Sequence, residues 1–140
     1  MENKHLSIIQ IIMEEGFGKS NLKVIDQYVS DSFKEHQFGG KNGKEGLKTI
    51  IRQLNAAFSD LQYVLQQSLW QGDTVWTHYR ATGFQTGNFM NLPASGNQIS
   101  IDVMDIFRFE NDLLVEHWGI PDRFAVMMQL GILTIKEQVS

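Results

Sequence analysis

Apolar residues in the first part of the chain recur at steps of three and four, which is the spacing of amphipathic helices. The pattern predicts three helices, over residues 6–17, 22–29 and 45–58, with Asn21 as the N-cap of the second. Between the second and third helices, residues 33–38 are predicted to form a short extended piece that leads into a glycine loop at Gly39, Gly40 and Gly43.

Beyond Asp60 the apolar period changes to two, which is typical of strands. We expect four long strands: a first in which Leu61, Tyr63, Leu65 and Leu69 alternate with polar residues, then 74–84, 98–110 and 113–120. The dipeptides Gly72-Asp73 and Asn111-Asp112 indicate hairpin turns. Gly83 and Gly87 predict a bulge or bend.

Pro121 ends the fourth strand, and Asp122 can cap a last helix over 123–130 that Gly131 terminates. Helices followed by a bent antiparallel sheet predict an α+β fold. The chain shows no repeat, low-complexity tract or linker, so we expect one domain over residues 1–140 whose sheet curls around a cavity.

Composition and charge exclude several classes of protein. The chain has 140 residues, 42% of them hydrophobic and 20% charged, which is typical of a soluble globular domain. A net charge of -4 with scattered basic residues argues against a nucleic-acid partner, and zero cysteines exclude disulfides and thiolate chemistry. The short apolar stretch after His5 is soon broken by Glu14 and Glu15, so we expect no signal peptide, no membrane partner and a cytoplasmic location.

Asp105 is the most informative position in the sequence. Counting by twos along its strand places it in an otherwise apolar row, Ile99, Ile101, Val103, Asp105, Phe107 and Phe109. A carboxylate in such a row costs several kcal/mol unless it is paired or protonated, and desolvation moves its pKa toward the range useful for proton transfer. Two interpretations stay open: a functional acid or base, and a structural ion pair with Arg80 or Arg108.

The fourth strand offers a partner for Asp105. Leu114, Glu116, Trp118 and Ile120 share one face, and Leu113, Val115, His117 and Gly119 share the other. If the Leu113 face looks inward, His117 lies within hydrogen-bond reach of Asp105 and the two form an acid/base pair. The alternatives are that His117 is a satisfied core histidine and that Asp122 is only a helix N-cap.

Other chemistry finds little support in the residue spacing. His36, His78 and His117 lack a second ligand at characteristic spacing, so we predict no metal site. The glycine loop at 39–43 lacks the lysine and hydroxyl ending of a phosphate loop, and a serine-nucleophile elbow is missing. The aromatic residues concentrated in the sheet half could line a pocket for a flat apolar ligand or form ordinary core.

The motif over residues 116–122, which leads into Gln129, Leu130 and Gly131, resembles the SnoaL-like polyketide cyclase group (predicted ester cyclases) of the NTF2-like superfamily. The order of the elements over nearly the whole chain supports the resemblance. Further pieces are His36, Gly83 and residues 58–60, 86–89, 92–96 and 105–109.

The resemblance implies an NTF2-like cone, in which three N-terminal helices pack on a curved antiparallel sheet and a short C-terminal helix follows. It also implies an apolar cavity, a homodimer packed through sheet faces, and an intramolecular aldol ring closure by an aspartate without metal or cofactor. Many members of the family carry an acidic residue directly after the tryptophan of the terminal motif, where this chain has Gly119.

We therefore expect cofactor-free acid/base chemistry, aldol cyclisation or isomerisation, on a small apolar carbonyl compound. The catalytic candidates are Asp105 as base, His117 as its orienting or relaying partner, and Asp122. The expected ligand-binding residues are Trp118, Tyr79, His36, Phe107 and Phe89. One alternative is a non-catalytic small-molecule-binding protein, favoured by Gly119; a weaker one is an epoxide hydrolase-like enzyme that combines Asp105 with Arg80 or Arg108.

Overall fold

Three helices precede the long strands, as the change of apolar period predicts. The computed structural model describes residues 3–136. Its helices are α1 (Lys4–Ile11), which continues into a π-helical segment (Ile12–Phe17), α2 (Lys23–Tyr28), α3 (Gly43–Ala57) and α4 (Arg123–Gln129). Its strands are β1 (Val29–Glu35), β2 (Phe58–Gln71), β3 (Thr74–Gln85), β4 (Gln98–Glu110) and β5 (Leu113–Pro121).

The five strands form one sheet in the order β1-β5-β4-β3-β2. Neighbours among β2 to β5 run antiparallel, and β1 pairs in parallel with β5 at the edge. One face of the sheet carries the core, so buried and exposed residues alternate along β3 and β4. The result is the α+β cone of the NTF2-like fold, as the resemblance implies.

Side-chain caps start three of the helices. Asn3 and Asp122 each accept the backbone N–H of the residue three positions on, Leu6 and Ala125, whereas Asn42 at the start of α3 accepts the N–H of the next residue, Gly43. Asn21 accepts the N–H of Lys23 at 3.3 Å but lies one residue before the N-cap position of α2, so its predicted capping role is displaced by one residue. None of the helices in the described part of the chain combines the length and hydropathy that a membrane crossing requires.

The short extended piece predicted over 33–38 is instead a seven-residue strand, β1, that begins at Val29. It begins at the last residue of the predicted second helix, Val29, and ends three residues before the predicted end of the extended piece. Its parallel ladder to β5 explains the difference, because pairing with a strand more than 80 positions away overrides a local preference.

The predicted bulge lies in β2 and not at Gly83. The β2–β3 register shifts between Ser59 and Gln62, where Asp60 has a positive φ of 50°, whereas Gly83 pairs regularly with Ile99 on β4. A β-carbon on Gly83 would come within 3.3 Å of the Ser59 carbonyl oxygen. Glycine is therefore favoured at 83 because the bulged backbone of β2 approaches it closely.

Two further register shifts correct the predicted faces. A shift between Leu65 and Gln67 turns Leu69 outward, where it is 61% exposed. A shift opposite Arg108 and Phe109 turns Leu114 inward on β5, so Leu114, and not Leu113, shares the inner face with His117. Each bulge changes the side-chain parity along its strand, which strict alternation cannot anticipate.

Candidate functional site

A cavity of about 140 Å³ lies between the inner face of the sheet and the helices. Its walls are mainly apolar and come from the π-helical segment, helices α3 and α4, all five strands and the loop after β1. Cavities of similar volume lined by apolar residues hold a benzene-sized molecule in other proteins. Four polar side chains among those that line it carry the chemistry considered below: Asp105, His117, Glu35 and Gln37.

The Asp105 carboxylate is buried in the cavity wall, with only 3% of its side chain exposed. Its Oδ1 lies 2.7 Å from Nε2 of His117. Its Oδ2 is buried and has no hydrogen-bond partner among the residues that the structure describes. One oxygen of Asp105 is therefore anchored, and the other is left with unused accepting capacity.

The interpretation of Asp105 as half of an ion pair with arginine is wrong. Arg80 pairs with Asp102 at 2.9 Å, and Arg108 pairs with Glu110 at 2.7 Å and also with Glu116. These arginines alternate with the inner-face residues and lie on the outer side of the sheet. They therefore do not supply the acid–arginine arrangement that an epoxide hydrolase-like site would take from Asp105.

His117 lies between two carboxylates. Its Nδ1 is 2.8 Å from both oxygens of Glu35, and its Nε2 bonds to Asp105. Burial by itself lowers the pKa of His117, but the hydrogen bonds and charges of Asp105 and Glu35 outweigh it and raise the pKa to about 9. The ring is thus an imidazolium at neutral pH, and it donates one N–H to each carboxylate.

The pairing register explains why these side chains meet. On β4 and β5, Asp105 is opposite Gly119, and Phe107 is opposite His117. Asp105 and His117 are therefore diagonal neighbours on the same face, within reach of each other over the glycine. Glu35 reaches His117 from the other side, because β1 runs parallel to β5 with Glu35 directly opposite His117.

Glu35 and Gln37 are site residues that the sequence reasoning missed. The signal was present, because Phe33, Glu35 and Gln37 alternate and all three line the cavity. His36, which was expected in the pocket, lies between them and faces the other way. It stacks on Trp118 with ring centroids 4.7 Å apart and bonds to Glu116 at 2.8 Å.

Two of the five expected ligand-binding residues, Phe107 and Phe89, line the cavity. The lining does not include Trp118, His36 or Tyr79. Trp118 lies on the outer side of the sheet, since it follows His117 on the strand. Tyr79 is fully buried, and its hydroxyl has no hydrogen-bond partner among residues 3–136.

Asp122 does not reach Asp105 or His117. Its carboxylate accepts the N–H of Ala125 at 2.9 Å and caps α4, and the residue is exposed. The next residue, Arg123, lines the cavity instead. Tyr63 also lines it, and burial, with a contribution from the charge of Asp105, raises the pKa of its hydroxyl above the ordinary range.

The family model described as SnoaL-like polyketide cyclase matches residues 7–130. The chain belongs to the SnoaL-like polyketide cyclase family. No curated protein matches the sequence. Within the family fold, this member combines the anchored carboxylate of Asp105 with a glycine at position 119.

Solved structures share the fold of this SnoaL-like chain over nearly its whole length. TsrD from Streptomyces laurentii is 23% identical with a TM-score of 0.86, covering 95% of this chain and 99% of its own. IdmH from Streptomyces antibioticus is 24% identical with a TM-score of 0.82, covering 92% and 99%. A SnoaL-like polyketide cyclase from Agrobacterium tumefaciens is 17% identical with a TM-score of 0.75, covering 94% and 100%.

Proposed function

We propose that this SnoaL-like protein removes a proton from the carbon next to a carbonyl group in a small, apolar compound. The resulting enolate leads to aldol cyclisation or isomerisation. A single observation carries the proposal: a buried carboxylate in the wall of an apolar cavity has one oxygen anchored and the other unpartnered.

Asp105 is the base in this proposal, and His117 is its positioning residue. Both ring nitrogens of His117 already carry protons that they donate to Asp105 and Glu35, so the ring has no lone pair with which to accept another. The charge-assisted bond fixes Oδ1 of Asp105 and directs Oδ2 to the reacting carbon.

The proposed reaction needs no proton donor or acceptor other than Asp105 and the substrate. The α C–H bond breaks, its proton moves to Oδ2 of Asp105, and its electron pair moves to the carbonyl oxygen. In a cyclisation, the enolate carbon then attacks a second carbonyl of the same molecule, and the new alkoxide takes the proton from Asp105. In an isomerisation, Asp105 returns the proton to a different carbon.

Deuterium exchange tests the first step without the natural substrate. We expect the protein to speed incorporation of deuterium from D2O into 2-tetralone, measured by proton NMR. In this ketone the hydrogens on C1 are activated because they are both benzylic and α to the carbonyl group. Asp105→Asn should lower the catalysed rate by about 100-fold or more, because general-base catalysis contributes roughly 10²–10⁴-fold.

The matched control is Asp102→Asn. Asp102 belongs to the same strand but faces outward, where it pairs with His78 and Arg80. The Asp102→Asn variant should keep the wild-type exchange rate. Thermal unfolding should show that both variants are folded. Exchange that persists in Asp105→Asn, or is lost equally in both variants, would rule out Asp105 as the base.

Gly119 favours a second function, ligand binding without catalysis, because it places no side chain beside Asp105. A protein of this kind would bind 2-tetralone in the cavity without accelerating deuterium exchange in it. The same NMR samples separate the two functions, since line broadening of the ketone reports binding and loss of the α-proton signal reports chemistry.

We also propose that the protein is a homodimer whose subunits pack through the outer face of the sheet. Large apolar side chains on β2 to β5 are exposed there, including Leu69, Trp76, Met104 and Ile120. Exposed apolar patches of this kind are typical of subunit interfaces. A second copy would cover them, because the face of a two-fold dimer is complementary to itself.

A further inference from the structure

We infer that the side-chain amide of Gln37 is the group that binds the carbonyl oxygen of the ligand. The identity of the ligand as a carbonyl compound rests on the proposed function; the assignment of Gln37 rests on geometry. Gln37 lines the cavity beside the Asp105–His117 pair.

The backbone of Gln37 is held on both sides. Its N–H donates to Oε1 of Glu35 at 2.9 Å, and its carbonyl oxygen accepts the N–H of Gly40 at 3.0 Å. The Glu35 carboxylate thus holds Gln37 and His117 at the same time. The backbone of Gln37 is placed by the same anchor as the Asp105–His117 pair, so the side chain starts from a constant position relative to that pair.

Gly119 leaves room for the Gln37 amide. A β-carbon added at Gly119 would overlap Oε1 of Gln37 and would lie 2.7 Å from both Oδ1 of Asp105 and Cε1 of His117. The end of the glutamine side chain, the carboxylate and the imidazolium therefore surround one point, and any larger residue at 119 would displace one of them.

The Gln37 amide has unused hydrogen-bonding capacity beside the Asp105–His117 pair. No side-chain hydrogen bond joins its amide to another group within residues 3–136, whereas both N–H groups of His117 are already used. The amide carries two N–H donors. The atom that lies nearest Asp105 and His117 is the accepting Oε1, and a half-turn about the terminal bond of the side chain exchanges it for Nε2. The amide can then donate to an oxygen next to the carbon facing Asp105, and as the α C–H bond breaks it stabilises the charge that develops there.

The experiment compares 2-tetralone with tetralin, the hydrocarbon of the same framework without the oxygen. We expect wild-type protein to bind the ketone about tenfold more tightly, the effect of one net hydrogen bond. Gln37→Met keeps the length of the side chain and removes both donors, so it should bind the two compounds equally. Gln66→Met, an exposed glutamine on β2, is the matched control and should keep the preference.

The Tyr63 hydroxyl is another donor in the cavity wall. Loss of the ketone preference in Tyr63→Phe, with retention in Gln37→Met, would overturn the inference. Equal binding of the two compounds by wild-type protein, or binding of neither, would overturn it as well.

Asp105→Asn separates this inference from the proposed function. The variant keeps Gln37, so it should keep the ketone preference while it loses deuterium exchange. If the wild-type protein prefers the ketone, Gln37→Met abolishes that preference and the wild type does not accelerate exchange, the binding site is supported and the proposed chemistry is refuted. If the wild type accelerates deuterium exchange but Gln37→Met still prefers the ketone, the proposed chemistry is supported and Gln37 is refuted as the binding group.

Discussion

Raising the pH should destabilise the folded protein through one residue, His117. Its pKa is about 9 in the fold, where Asp105 and Glu35 hold the imidazolium between them, against 6.5 in an unfolded chain. A group whose pKa is raised by folding stabilises the folded state fully below the unfolded pKa. That contribution is lost as the pH rises through the folded value, so the sensitive window runs from about pH 6.5 to about pH 9.

The size of the effect follows from the same pKa values. Each unit of difference corresponds to about 1.4 kcal/mol, so the rise from 6.5 to about 9 gives about 3 kcal/mol of unfolding free energy. This is a large share of the stability of a typical domain, roughly 5–15 kcal/mol. The effect should therefore be visible without any mutation.

Urea unfolding at about pH 6 and about pH 10 measures the loss. Other groups titrate in the same range, so the quantity of interest is the difference between wild type and His117→Gln. Glutamine keeps a hydrogen-bonding side chain but does not ionise, and we expect the variant to lose about 3 kcal/mol less over this range. Below about pH 6.5 the variant should also be less stable than wild type, because two buried carboxylates lose their cation. This difference should shrink as the pH rises through about 9, where His117 of the wild type loses its charge too.

An NMR titration of the wild-type protein provides a check that does not depend on the variant. The Cε1 proton of His117 should shift with a midpoint near pH 9. A midpoint at or below 6.5, or an equal pH dependence of stability in wild type and variant, would refute the ionised arrangement.

Two more predictions concern packing. Gly87→Ala should lower the unfolding free energy by about 2 kcal/mol or more, because its β-carbon would overlap the Ala56 carbonyl oxygen. Gly18→Ala, whose β-carbon would meet only ordinary contacts at 3.5 Å, should be tolerated in the same thermal and urea assays. Ile120→Lys should convert the proposed dimer to a monomer in size exclusion with light scattering, whereas Phe38→Lys, 97% exposed in the loop after β1, should not. A dimer that survives Ile120→Lys would argue against the sheet face as the interface.

The sequence predicts the pair at the centre of the site on one condition, that the face of β5 that carries His117 looks inward. Asp105 interrupts a regular apolar row, and the spacing of His117 on the next strand puts both on one face. Their neighbours were harder to find. The alternation of Phe33, Glu35 and Gln37 indicates that these residues share one face. The contact between Glu35 and His117 depends on the parallel pairing of β1 with β5, which joins residues 82 positions apart and which no local pattern reveals.

The inward turn of Leu114 and the outward turn of Leu69 follow from bulges in the sheet. A bulge does not change how many apolar residues a strand has. It changes which of them point to each face, so the amino-acid sequence of the strand gives little indication of the bulge. Trp118 shows the same difficulty, because an aromatic side chain suits a pocket wall and an exposed sheet face equally well.

The parallel ladder between β1 and β5 also governs the order in which the molecule can be assembled. During synthesis Glu35 emerges early, whereas the histidine that neutralises it follows 82 residues later. Until that segment arrives, the first strand has no neighbour at this edge and its acid has no buried cation. Closing so long a loop is slow. The charged centre is therefore among the last parts of the nascent chain to form. A fragment ending before residue 113 would retain most of the helices and Asp105 but would lack His117, the cation that joins the two carboxylates.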